Sequence, residues 1–388
     1  MNLTGEEDLM LLSRKFLEMV NPLNIFKKEY KTLNRIEISK DNLLSNYKYL
    51  SSLNRKVKIA PVVKSNGYGH GLINAAKILQ KFKPPFFCVD SLYEAYELLK
   101  VTIKTPILIM GYTDPQNFKV KKLPFSYAVF DLEIAQVLNK YQPNCGIHVF
   151  VDTGMNREGV TLKDLPEFLK HLKKYPNLKI EGLMSHLASA DDKKDPLNRL
   201  QISNFKRALE ICKKSGVHPK WIHLQNSDGL AFNLRGCNVN MARVGLALYG
   251  ISNDPNLKPV LSLKSKIIQI KKLKKGNRVG YNGTFIAKEP ITLGVLALGY
   301  YDGMDRRLSN KGFVLVEGVI CPIIGKVSMN ITTIDISKVK NPFVGQEAIV
   351  YSDNPKDKNS IQNCAKFCST IPYELLINLA SSTRRTNV

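Results

Sequence analysis

The chain has 388 residues, 44% of them hydrophobic and 23% charged. That mixture excludes a mainly disordered chain, and no apolar run approaches the ~18 residues that a membrane span requires. The formal net charge of +24 is large enough to suggest a polyanion partner. However, the lysines are scattered as pairs such as Lys173-Lys174, Lys213-Lys214 and Lys271-Lys272, and read first as solvated helix faces. At ~150 residues per domain, the length suits two domains or one barrel with a satellite. The seven cysteines are an odd, unpatterned set from Cys88 to Cys368, not a disulfide framework. Cys364 and Cys368 lie one helical turn apart, but no second ligand pair follows them, and no metal is expected.

Residues 1–33 read as a helical extension. Thr4-Gly5-Glu6-Glu7 has capping-box spacing, Leu9, Leu12, Phe16 and Val20 recur at helical intervals, and Asn21-Pro22 ends the run. Glu6, Glu7 and Asp8 stand where an export signal carries basic residues, so a cytoplasmic, reduced setting is expected.

From about residue 58, short apolar runs alternate with amphipathic stretches. The runs are Ile59–Val63, Phe86–Val89, Ile107–Met110, Tyr127–Phe130, Ile147–Val151, Ile180–Met184, Trp221–Leu224 and Met241–Val244. The helical stretches between them include Leu72–Lys81, Leu92–Lys100, Leu132–Tyr141, Leu162–Tyr175 and Asn198–Ser215. Eight such units in ~200 residues predict a parallel (β/α)8 TIM-type barrel over residues 34–257. No G-x-G-x-x-G follows the first strand, which disfavours an open dinucleotide-binding sheet. Residues 258–388 carry strand-like pieces at Ser262–Lys272, Thr292–Leu298, Phe313–Val319 and Glu347–Tyr351, separated by Gly and Pro turns. They read as a mainly antiparallel β domain.

A barrel of this kind places its active site at the C-terminal ends of the strands. Lys64 ends the first run and is followed by Ser65-Asn66-Gly67-Tyr68-Gly69-His70-Gly71. A lysine there is either an ordinary solvated strand-end residue or a partly desolvated amine suited to Schiff-base chemistry. Asp152-Thr153-Gly154-Met155-Asn156-Arg157 follows the fifth run, Ser185-His186 the sixth and Asn226-Ser227 the seventh, while Arg243-Val244-Gly245 ends the eighth. Singly, each reads first as a solvated or locally capping residue. Together they describe a phosphorylated carbonyl cofactor held by an amine and a phosphate pocket, and pyridoxal phosphate fits.

These residues stand in longer motifs. They are Val62-Val63-Lys64-Ser65-Asn66-Gly67-Tyr68-Gly69-His70-Gly71, Val151-Asp152-Thr153-Gly154-Met155-Asn156-Arg157-Glu158-Gly159, Met184-Ser185-His186-Leu187-Ala188-Ser189-Ala190-Asp191 and His223-Leu224-Gln225-Asn226-Ser227. Arg243-Val244-Gly245-Leu246-Ala247-Leu248-Tyr249-Gly250, Val279-Gly280-Tyr281-Asn282-Gly283-Thr284, Gly299-Tyr300-Tyr301-Asp302-Gly303 and Gly325-Lys326-Val327-Ser328-Met329 continue the series. In these motifs the chain resembles the alanine racemases, fold-type III pyridoxal-phosphate enzymes, from about residue 34 to the end.

The resemblance implies that Lys64 binds the cofactor covalently and serves as one base, with Tyr281 of a neighbouring subunit as the second base on the opposite face. Racemisation needs such a pair, one group removing the α-proton and the other returning it from the far side. Arg243 and His186 match a hydrogen-bonded chain toward that tyrosine. Arg243 also matches the cation facing the pyridine nitrogen. Tyr68, Ser227, Gly245, Leu246 and Tyr373 match neighbours of the cofactor phosphate, and Arg157 and Met329 match substrate-carboxylate contacts. Asp191, Tyr300 and Arg306 match an entry corridor. A homodimer with shared active sites is implied, as is D-alanine supply for peptidoglycan.

Lys326 and Asn330 stand where Arg and Asp are commoner in the family. A larger departure is Phe150, at the place where the family carries a carbamylated lysine whose charge orients the carboxylate-binding arginine. Phenylalanine supplies no anion, so Arg157 is expected to be held by chloride, by another polar group, or less firmly. A racemase for serine or several amino acids is the alternative on this scaffold. A fold-type III decarboxylase needs no Tyr281, a cofactor-binding protein without turnover needs no β domain, and a nucleic-acid-binding protein needs a basic and aromatic module that the sequence lacks.

Overall fold

The computed structural model describes residues 31–388 apart from 233 and 235; the extension expected over residues 1–33 falls almost wholly outside them. The first strand, β1 (Arg35–Ile38), runs antiparallel to β10 (Leu261–Leu273) and parallel to β18 (Arg385–Asn387). It therefore lies in the sheet of the second domain. This corrects the expectation that the barrel begins at residue 34: the chain enters through the β domain, and helix α1 (Lys40–Leu53) carries it across. Ser39 caps α1 by accepting from the Asn42 backbone N–H.

Eight parallel strands follow: β2 (Lys58–Pro61), β3 (Phe87–Val89), β4 (Ile107–Ile109), β5 (Phe125–Val129), β6 (Gly146–Phe150), β7 (Lys179–Met184), β8 (Trp221–His223) and β9 (Met241–Val244). β3 through β8 pair in order, and β9 pairs with β2. A bridge between Val62 and Cys88 joins β2 to β3. The backbone bonds Asn240 N to Ile222 O and Arg243 N to Gln225 O join β8 to β9, closing the barrel. Strands such as β5 and β6 are buried along their whole length, as expected where helices cover a parallel barrel. The outer helices α2 (Leu72–Leu79), α3 (Leu92–Lys100), α4 (Leu132–Tyr141), α5 (Leu165–Leu172) and α6 (Pro196–Lys214) occupy the expected stretches. Ser91, Asp131 and Asp195 cap three of them by accepting from backbone N–H groups of the first turn.

The second domain is mainly antiparallel. β10 is its spine, pairing with β1, β13 (Ile291–Leu296) and β17 (Glu347–Tyr351), while β14 (Phe313–Val316) forms a hairpin with β15 (Val319–Pro322) and continues the sheet beyond β17. The short pair β11 (Arg278–Val279) and β12 (Phe285–Ile286) stands apart, and β16 (Thr332–Asp335) pairs with β13. Two short helices, α7 (Ile361–Phe367) and α8 (Pro372–Ile377), interrupt the β texture. Cys364 and Cys368 are buried in the α7 region, and all seven cysteines are unpaired and buried.

Candidate active site

Lys64 stands at the C-terminal rim of the barrel, three residues past β2. Ser65, Asn66, Gly67 and Tyr68 then adopt φ of 55°, 55°, 60° and 51°, one left-handed turn. Such a turn costs each non-glycine residue roughly 1–2 kcal/mol and persists only when its surroundings over-determine it. Glu94 of α3 supplies part of that constraint: its Oε1 accepts from the backbone N–H groups of Ser65 at 2.6 Å and Asn66 at 3.4 Å. Asn66 Oδ1 accepts from Leu72 N at 3.0 Å. The β domain supplies the rest. Arg385 Nε donates to Gly69 O at 2.8 Å, and a Cβ on Gly69 would lie 2.0 Å from Leu376 O of α8.

Above this turn opens a cavity of about 390 Å³ lined by Lys64, Tyr68, Arg157, His186, Ser227, Arg243, Gly245, Leu246 and Tyr373, among others. Lys64 Nζ donates to Asp90 Oδ1 at 2.9 Å. Ser227 Oγ accepts from the backbone N–H groups of Gly245 at 3.2 Å and Ala247 at 3.3 Å. A Cβ on Gly245 would stand 2.7 Å from the Tyr68 hydroxyl, so glycine lets that ring close the wall. Tyr68 also lies beside Tyr373 of α8, ring centroids 6.1 Å apart. Burial pushes the Tyr68 phenol well above its usual range.

Arg243 is buried inside the barrel. Its Nη1 donates to His223 Nδ1 at 2.8 Å and His223 O at 3.2 Å, and its Nη2 to Ser185 O at 2.6 Å and His186 Nδ1 at 3.1 Å. A guanidinium only donates, so both Nδ1 atoms accept and both imidazoles are neutral with the proton on Nε2. His223 Nε2 then donates to His148 Nδ1 at 2.7 Å. Gly182 makes room for that ring, since a Cβ there would meet His148 Nδ1 at 2.1 Å. Burial first, and the Arg243 charge second, hold His186 and His148 down to about 3 and His223 well below its ordinary value. Burial likewise lowers Arg243 to about 10, still charged at neutral pH. Among the described residues no carboxylate bonds to Arg243. The reading of the sequence missed His148 as a partner and His223 as a link; polar residues inside otherwise apolar strands were the available signal.

Arg157 follows a tight turn organised by Asp152, whose Oδ1 accepts from the backbone N–H groups of Gly154, Met155 and Asn156. Its Nε and Nη2 donate to the two carboxylate oxygens of Glu158 at 2.5 and 2.7 Å. Phe150 packs in an apolar cluster with Ala128, Met184 and Phe130 and offers the arginine nothing. A polar group, the Glu158 carboxylate, thus contacts the Arg157 guanidinium. Glu158 stands in the Arg157 motif and Asp90 just after the second apolar run, and neither carries a role there, because a loop carboxylate leaves no periodic trace.

The remaining sequence candidates lie outside this cavity. Tyr281 begins a short turn after β11 and is 68% exposed. Met329 is exposed beside Tyr301, whose N–H donates to its carbonyl. Tyr300 and Arg306 line a different cleft, next to α8. Asp191 is exposed on the loop before α6.

The donor set of the cavity fits a phosphorylated aldehyde. It offers an amine for the carbonyl, a hydroxyl beside two amides for the phosphate, and a buried cation with no carboxylate partner to face a ring nitrogen.

The family profile for the alanine racemase N-terminal domain matches residues 38–253, and that for the alanine racemase C-terminal domain matches residues 260–387. The chain is 34% identical over 364 residues to alanine racemase 2 of Caldanaerobacter subterraneus subsp. tengcongensis, covering 90% of this chain and 94% of that one. The solved alanine racemase of Clostridium difficile 630 superposes with a TM-score of 0.86 at 28% identity, covering 93% of this chain and 97% of that one. An alanine racemase from Bartonella henselae with covalently bound pyridoxal phosphate superposes with a TM-score of 0.81 at 25% identity, covering 92% of this chain and all of that one. The two-domain chain thus has counterparts both in sequence and in shape. The chain belongs to the alanine racemase family.

Proposed function

We propose that the protein interconverts L- and D-alanine with pyridoxal phosphate, supplying D-alanine for peptidoglycan from the cytoplasm. The observation that carries this reading is the Lys64 amine, which lines one cavity together with Arg157, Arg243 and the Ser227–Gly245 wall. Pyridoxal phosphate, when bound, supplies an electron sink that makes the α-proton of an attached amino acid acidic. Lys64 Nζ takes or returns that proton on one face. Arg157 holds the substrate carboxylate, which orients the α-carbon toward the base. Ser227 and the backbone at Gly245 and Leu246 would hold the phosphate, with Tyr68 and Tyr373 around it. Arg243 would present a cation to the ring nitrogen of the bound cofactor, and it leaves His186 with its proton on Nε2, the donor available to orient a phenol.

The phenol is Tyr281 of a second copy. Tyr281, Met329 and Tyr301 are exposed in the single chain, at 68%, 55% and 58%, an apolar face suited to covering by another subunit. In a homodimer Tyr281 would exchange the proton on the other face, Met329 would complete the carboxylate site, and Asp191, Tyr300 and Arg306 would narrow the entry. No described helix is long and apolar enough to cross a membrane.

The test incubates the cofactor-loaded protein separately with L-alanine, L-serine and L-lysine and follows the enantiomers and any amine formed. Racemised alanine with the cofactor fixed to Lys64 by borohydride is expected. Turnover surviving Lys64→Ala would sink the reading. Mixing inactive Lys64→Ala with inactive Tyr281→Ala protein restores activity if the site is shared, and leaves the mixture dead if it is not.

A further inference from the structure

Arg157 and Glu158 are adjacent in sequence and bonded through two parallel N–H···O contacts, Nε to Oε2 at 2.5 Å and Nη2 to Oε1 at 2.7 Å. Both residues line the cavity. The side chains are 54% and 30% exposed, so the pair contributes little to stability, and its geometry calls for another explanation. The wall behind it is apolar, formed by Phe150 and Met184. The other carboxylate whose charge reaches the guanidinium, Asp90, is hydrogen-bonded to Lys64 Nζ. Glu158 is thus the carboxylate bonded to Arg157.

A guanidinium presents two edges that each match a carboxylate, one through Nε and Nη2 and one through Nη1 and Nη2. Glu158 occupies the first, and the second remains for another carboxylate. We infer that Glu158 is a positioning residue for substrate: it fixes the Arg157 side chain by one edge so that the other meets the amino-acid carboxylate already ordered. An unheld arginine would lose its rotamer freedom on binding, a cost that appears as weaker affinity. Supplied in advance by Glu158, that ordering is the same for both substrate enantiomers, because both present the same carboxylate. The inference rests on the reading of Arg157 as the carboxylate-binding residue.

The cofactor-loaded protein, Glu158→Gln, Glu158→Asp and Arg157→Ala are compared by steady-state kinetics in both directions and by calorimetric titration with propionate, a carboxylate without an amine. Glu158→Gln is expected to raise KM for L- and D-alanine by a common factor of about two- to tenfold, the scale of ordering one rotamer-rich side chain. The dissociation constant for propionate rises with it while kcat holds, the signature of lost uniform binding. Glu158→Asp, shorter but still anionic, falls between. If Arg157→Ala weakens propionate binding but Glu158→Gln leaves it unchanged or tightens it, the positioning role is overturned; tightening would mean that Glu158 competes with substrate. If Arg157→Ala itself leaves propionate binding intact, the underlying reading of Arg157 fails, and the positioning role fails with it.

Discussion

Lys64 Nζ and Asp90 Oδ1 face each other at 2.9 Å across the edge of the cavity. Asp90 is itself set by Glu94, whose Oε2 accepts from its backbone N–H at 3.0 Å while Oε1 holds the left-handed turn after Lys64. The ammonium must leave this carboxylate to react with a carbonyl, and the same carboxylate repels an arriving phosphate. The side chains are 35% and 54% exposed, so solvent screening keeps the interaction small. Asp90→Asn is expected to speed reloading of the cofactor-free protein with pyridoxal phosphate by roughly two- to fivefold, the range of an exposed ion pair. The check is the rate at which the lysine-bound cofactor absorbance grows after mixing; a slower rate would contradict the role given to Asp90.

Gly69 and Gly245 separate a fold requirement from a cofactor requirement. Gly69 holds φ +82°, and an added Cβ would overlap backbone atoms of Leu376. Neither group can move without lifting α8 from the barrel. Gly69→Ala is expected to cost about 2–4 kcal/mol in urea unfolding, the combined scale of overpacking and strain. Gly245 has no positive φ, and the atoms nearest its added Cβ, at 2.7–3.0 Å, all belong to the Tyr68 phenol. Displacing that ring disturbs the cavity wall, so Gly245→Ala should lose cofactor on dialysis far faster than it loses stability. Equal stability losses in the two variants would refute the distinction.

The barrel was legible because several of its parallel strands are buried on both faces and appear as uninterrupted apolar runs, as in Phe87–Val89 and Ile107–Ile109. Its rim residues were legible by position alone: Lys64, Arg157, His186, Ser227 and Arg243 stand at or just after strand ends, and the fold brings them to one cavity. β1 was missed because four residues with alternating burial carry little signal, and its partners β10 and β18 lie more than 200 residues away. α7 shows in the sequence chiefly through Cys364 and Cys368, one helical turn apart, whereas its cap (Ser360 accepting from Asn363 N) and its buried face of Ile361, Cys364, Ala365 and Cys368 span only two turns. Asp90 and Glu158 could not be found by periodicity, since their partners are set by loop geometry.

Acid should destabilise the protein earlier than its carboxylates alone would allow. Burial holds His70 down to about 4, His148 and His186 to about 3, and His223 well below its ordinary value. The unfolded chain takes up protons on these residues below about pH 6.5, and the native state resists doing so. Their stabilising contribution is therefore complete above pH 6.5 and is lost as pH falls from 6.5 toward 4 and then 3. Each histidine contributes up to ~1.4 kcal/mol per pH unit within that window. Urea midpoints should fall steeply between pH 6.5 and 5, where ordinary carboxylates remain ionised, and His148→Gln should lessen the slope. A flat response over that range would rule the account out.

Phe150 offers a test of whether Arg157 lacks an anchor. The ring is 5% exposed, meets Phe130 edge-on with centroids 6.2 Å apart, and packs on Ala128 and Met184. Phe150→Lys would place an ammonium in this apolar wall, near the cations of Arg157 and Arg243, with no carboxylate in the cluster to receive it. The expected loss is about 2–4 kcal/mol, the scale of burying an uncompensated polar group, and it is read as a lowered thermal midpoint. Because Glu158 already engages the guanidinium, the substitution should bring no fall in KM for alanine, and added chloride should leave the KM of the unsubstituted protein unchanged. A lower KM in Phe150→Lys, or in chloride, would mean that the arginine is under-anchored despite Glu158.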